Sequence, residues 1–179
     1  MQRFFYAAIV SIAFLFLLEY IDSSTSIGNI ILAGAETEGV IASFQSQDTC
    51  NLAAQIIQIT NAARARGARC PEGYYPPARA VQPHPTLMQT AQMHSEVQAK
   101  ANSIFHSSGG SLRSTAGRVG AGSITENAWL GNTNPLSSVQ GFLTSKKGHC
   151  GGMMGGRHRY IGVGVARGNR YWHVTQQFV

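Results

Sequence analysis

The stretch YIGVGVARGNRYWHVTQQFV, residues 160–179, decides the fold class. Ile161, Val163 and Val165 alternate with Gly162, Gly164 and Ala166, the two-residue period of a β-strand. Residues 171–179 read as a second strand, and Gly168-Asn169 between them suits a tight hairpin link. The glycine face of the first strand carries no side chains, so a helix can approach the sheet closely there.

Working back from that hairpin, Asn134-Pro135 opens a helical segment with Leu136, Val139, Phe142 and Leu143 on one face. Ile124 to Leu130 reads as a strand. Residues 107–123 are rich in Gly and Ser and read as a loop with one short turn near Arg118. Pro85 suits the first turn of a helix running to about Asn102, with Leu87, Met88, Ala91, His94, Val97 and Ala101 near helical spacing. Cys70 to Pro85 holds five of the six prolines and reads as an irregular crossing. Asp48 and Thr49 are caps for a helix from about Cys50 to Arg66. The fold class is α+β, with helices layered on a small antiparallel sheet.

The N-terminus reads differently. Arg3 precedes an apolar run from Phe4 to Leu18, shorter than the roughly 20 residues a membrane span needs. Ala33-Gly34-Ala35 is a small-x-small pattern. Residues 1–35 therefore read as an export signal cut before Glu36, 36–47 as a linker, and 48–179 as one domain. The expected location is secreted or periplasmic, with no stable membrane span after cleavage.

Charge narrows the function classes. The chain carries 14 basic and 8 acidic residues, a net +6, with only 12% charged. Such a surface suits an anionic surface or lipid, while ordinary solubility explains it equally well. No nucleic-acid module is present in the pattern, so nucleic acid is not an expected partner. Beyond Glu96 the one acidic residue is Glu126, and no aspartate follows Asp48. A two-carboxylate glycosidase would need Glu126 with Glu72 or Glu96, and a Ser-His-Asp triad would have only Glu126 to orient its histidine. Neither is supported by the spacing.

Cys50, Cys70 and Cys150 allow one bridge and one leftover thiol. A helix from Cys50 to Arg66 is about 24 Å long, and the four residues to Cys70 return only about 14 Å. A bridge needs Cα atoms within about 7 Å, so Cys50–Cys70 is excluded for a helix of that length and Cys150 has two candidate partners.

Six histidines are present; His106 closes the second predicted helical segment, Glu126 lies on the predicted strand and His149 follows the third predicted helix. Neutral imidazole is a metal ligand and an acid/base, although most buried histidines are simply hydrogen-bonded. His94 on an apolar stripe reads as structural, and His158 and His173 as surface or sheet residues. Trp129 and Trp172 read as core aromatics, and Asn127 as a brace for local backbone.

Seven short segments form an ordered series: Asn61-Ala62-Ala63-Arg64, Ala91-Gln92-Met93-His94-Ser95, Phe105-His106, Thr125-Glu126-Asn127, Ser145-x-x-Gly148-His149-Cys150, 161–166 and Tyr171-Trp172. Together they resemble the bacterial, SCP-like branch of the superfamily of cysteine-rich secretory, antigen 5 and pathogenesis-related proteins, over about residues 50–179. The resemblance implies an α-β-α sandwich and a cleft in which His106, Glu126 and His149 match family positions. It implies zinc or another divalent ion there, and a Cys70–Cys150 disulfide. Thr125 stands where the family usually has Gly, Cys150 stands where Arg is frequent, and the third helix supplies no glutamate, so three of the four cleft residues remain. The functional expectation is a binding module with an unidentified cleft ligand, rimmed by Lys146, Lys147, Arg157 and Arg159. The alternatives are a metal-dependent, peptidase-like hydrolase using the same cleft and, more weakly, lipid or sterol binding. Because Glu126 cannot both ligate an ion and activate water, the balance leans away from an enzyme.

Overall fold

The computed structural model describes the backbone of residues 27–179 and side chains from residue 47 onward. The export signal expected over residues 1–35 lies largely outside these residues. Residues 45–179 form one compact unit, which holds the sheet. Helix α1 spans Ile27–Arg66. It begins well before the expected cap at Asp48, and the segment 36–47, expected as a linker, is helical in its backbone. Among the described residues no helix is long and apolar enough to cross a membrane.

The central sheet has the order β3-β5-β6-β4. Strands β5 (Tyr160–Arg167) and β6 (Trp172–Phe178) form the expected antiparallel hairpin. Strand β4 (Thr125–Gly131) pairs antiparallel with β6 and forms one edge. The proline-rich stretch is more ordered than its composition suggested. It holds a hairpin, β1 (Ala68–Cys70) with β2 (Gly73–Tyr75), and strand β3 (Gln82–Pro83), which lies parallel to β5. Gln82 and His84 donate their N–H groups to Arg159 and Ile161. Pro83 falls between these two donors, where a missing N–H costs nothing at a sheet edge.

The two faces of the sheet are covered by different helices. Ile161, Val163, Val165, Val174 and Phe178 pack with Ala53, Ile56 and Ile57 of α1 in one apolar core. Val139 and Phe142 of α4 (Ser138–Thr144) and Met153 and Met154 of α5 (His149–Met154) join them. Helix α2 (Pro85–Ala101) covers the opposite face. A Cβ on Gly162 or Gly164 would overlap the backbone at Leu87 or Ala91, so bare glycine is what lets α2 seat there. The result is the expected α-β-α sandwich. The buried line of α2 is Leu87, Ala91, Ser95 and Gln98, whereas Val97, expected in the apolar stripe, is exposed.

Residues 107–123 also depart from the loop reading. Gly109–Arg118 is a helix, α3, capped by Ser108, whose hydroxyl accepts the N–H of Ser111. Burial of Thr115 and Ala116 offsets the poor helix propensity of its glycines and serines.

Candidate functional site at the sheet edge

Glu126 and Asn127 are neighbours on edge strand β4, so their side chains leave opposite faces of the sheet. Glu126 stands beside Gln177 on the α2 face, and Asn127 beside Gln176 on the α1 face. This places the acid on the side from which the chain leaves α2.

The Glu126 carboxylate is 2% exposed and fully engaged. Oε1 accepts from the backbone N–H of Ser107 at 2.8 Å and lies 3.1 Å from His106 Nδ1. Oε2 accepts from Ser107 Oγ at 2.6 Å and Gln177 Nε2 at 3.0 Å. His94 Nε2 stands 3.9 Å from Oε1. Burial pushes this carboxyl up. The hydrogen bonds from Ser107 and Gln177, with His94 nearby, outweigh burial and leave it below the ordinary glutamate value.

Asn127 holds the other arm. Its Nδ2 donates to the carbonyl of His149 at 3.0 Å. His149 opens α5, with Nδ1 2.9 Å from Ser145 Oγ. Burial, first, and the neighbouring His106 and Lys147 lower its pKa, while Glu72 opposes them. The next residue, Cys150, is bridged to Cys70 with Cα atoms 5.7 Å apart, the pairing the resemblance implied. Cys50 is the free, exposed thiol.

The arms meet around the end of β4. The ring centroids of His106 and His149 are 6.3 Å apart at 53°. His106 is 56% exposed, whereas Glu126 beneath it is not. The structure thus brings together the three residues singled out in the sequence. It also adds four polar partners, of which Ser107 and Gln177 were missed by sequence reading. Ser107 and Gln177 saturate the acid. His94, expected to be structural, binds the Phe105 carbonyl and approaches Glu126. Glu72 accepts the Gly151 N–H at 2.7 Å. Ser107, directly after His106, was the one with a local signal.

Among the described residues no group of three His, Cys, Asp or Glu side chains is arranged to hold a metal ion. The His106 and His149 rings are each engaged through Nδ1, by Glu126 and Ser145, and are the side chains here that could hold an ion.

Comparison with known proteins agrees with this architecture. The family model of the cysteine-rich secretory protein family, CAP, matches residues 57–178, and the chain belongs to that family. An extracellular protein containing an SCP domain from Bacillus anthracis is similar in structure, with TM-score 0.55 and 21% identity over 75% of this chain and 42% of that one. A cysteine-rich secretory protein from Staphylococcus aureus gives TM-score 0.49 and 13% identity over 72% and 38%. This chain therefore spans less than half the length of either, and at such identities the likeness is one of fold. No curated protein matches the chain.

Proposed function

We propose that the protein acts outside the cytoplasm as a non-catalytic binding domain, with its ligand received between His106 and His149. One observation carries this reading: both oxygens of Glu126 are occupied, and its carboxyl is held below the ordinary value. A general base needs a free lone pair and a pKa near the working pH. Glu126 has neither, so it braces His106 instead, and hydrolysis through this acid is disfavoured. A divalent ion, zinc foremost, is the element the histidine pair would hold, with ligand or solvent completing its coordination. It would supply a fixed positive charge to an anionic or carbonyl group of the ligand.

Zinc titration of purified metal-free protein tests the reading. One ion per chain is expected, with binding lost in His106→Ala and in His149→Ala, and weakened in acid because a ligating imidazole must be unprotonated. Absence of binding, or binding indifferent to both replacements, removes the ion from the proposal. Ester or peptide hydrolysis abolished by Glu126→Gln would overturn the non-catalytic reading. Export is tested by N-terminal sequencing of protein recovered outside the cytoplasm, which should begin near Glu36; recovery only from the cytoplasm contradicts it.

A further inference from the structure

Between α2 and α3 lies an open cavity of about 470 Å³, separate in lining from His106 and His149. Its size falls within the range of about 300–1,000 Å³ usual for small-molecule sites. Met93 and Val97 supply its apolar side chains and are 57% and 52% exposed. Most of the remaining lining is hydroxyl-bearing, including Ser107, Ser111 and Ser114. Arg118, exposed in the last turn of α3, brings a positive charge, and no carboxylate lines the cavity. Arg118 makes no ion pair among the described residues.

We infer that this cavity binds a carboxylated sugar ring, with the carboxylate on Arg118. The lining chemistry selects that class. A hydrocarbon chain would cover the hydroxyls without giving them partners, which is costly. A neutral sugar would leave the guanidinium unused. A pyranose bearing an acid offers hydroxyls to the serines, a C–H face to Met93 and Val97, and a planar carboxylate that the guanidinium can grip with two bonds. Ser107 belongs both to this lining and to the bonds on Glu126, so occupancy is felt at His106.

The test uses metal-free full-length mature protein, so that it stands apart from the ion reading. Glucuronate, N-acetylmuramate and glucose are titrated separately and followed by amide chemical shifts. At least one acid should bind saturably with a Kd in the millimolar range or below, with shifts at Met93, Val97, Ser111 and Ser114. Binding of both acids supports the class as a whole. Binding of N-acetylmuramate alone points to a bacterial wall source, and of glucuronate alone to a uronic polysaccharide. Arg118→Gln should weaken acid binding tenfold or more while the rest of the spectrum is unchanged, since that side chain is exposed. The inference is overturned if neither acid binds, if glucose binds as tightly, if Arg118→Gln has no effect, or if the shifts map elsewhere.

Discussion

Glu126 and Asn127, consecutive on β4, each hold one arm of the candidate site: the acid ties down His106 and Ser107, the amide ties down the carbonyl of His149. The alternation of a strand is what separates their duties, and the strand's place at the sheet edge is what lets the arms meet. Glu126→Gln keeps the shape but offers His106 a weaker acceptor. For the proposed zinc site, affinity should fall about 10–100-fold on losing this partner of His106. Asn127→Ala should instead cost about 1–3 kcal/mol of stability, because the His149 carbonyl loses its donor. Calorimetric titration and urea denaturation of the two variants separate these effects.

Acid should destabilise the fold before carboxylates protonate. His173 is completely buried, with neither ring nitrogen bonded, and burial lowers its pKa. Burial also lowers His158, against the bond to the Gly152 carbonyl. Groups with folded pKa below the unfolded value bind more protons when unfolded. Stability is therefore full above about pH 6.5 and declines as pH falls from there. Urea midpoints between pH 8 and 5 should show this decline, and His173→Leu should flatten it. A wild-type midpoint that does not change over that interval contradicts the account.

Arg64 is a buried cation that caps carbonyls. It donates Nε to Arg79 and Nη1 to Met153 and Gly155 near the end of α5. Burial, with Arg79 nearby, lowers its pKa. Carbonyls at a helix C-terminus are the natural site for such a charge. Arg64→Ala should cost about 3 kcal/mol, because several buried acceptors lose their donor together. Arg64→Lys should recover only part of the loss, since an ammonium cannot reproduce the planar fork. Thermal unfolding of both variants measures the difference.

Gly164→Ala should be more damaging than its single added methyl suggests. The new Cβ would meet the α2 backbone at Ala91, and a backbone cannot turn aside as a side chain can. A loss of about 1–3 kcal/mol is expected, with a change in the near-ultraviolet signal of the core. At Gly156, where no atom lies near the Cβ position, the same substitution should be nearly neutral.

The sequence made the local features legible and left the contacts of its polar side chains hidden. The β5–β6 hairpin was readable because its alternation is uninterrupted. His106, Glu126 and His149 were readable because the ordered motifs locate them. Helix α3 was not, because its glycines and serines speak for loop, and the Ser108 cap and the burial of Thr115 and Ala116 decide otherwise. The role of Gln177 was invisible for another reason. It depends on Thr90 and Glu126, 87 and 51 residues away, which only the folded sheet brings to it.

The Cys70–Cys150 bridge has a mechanical consequence for the candidate site. His149 sits next to a covalent staple, and the Glu72 bond to Gly151 fastens the same turn a second time. His106 and Ser107 are held to Glu126 by hydrogen bonds. The proposed ligand would thus meet a covalently tethered side at His149 and a side held by hydrogen bonds at His106.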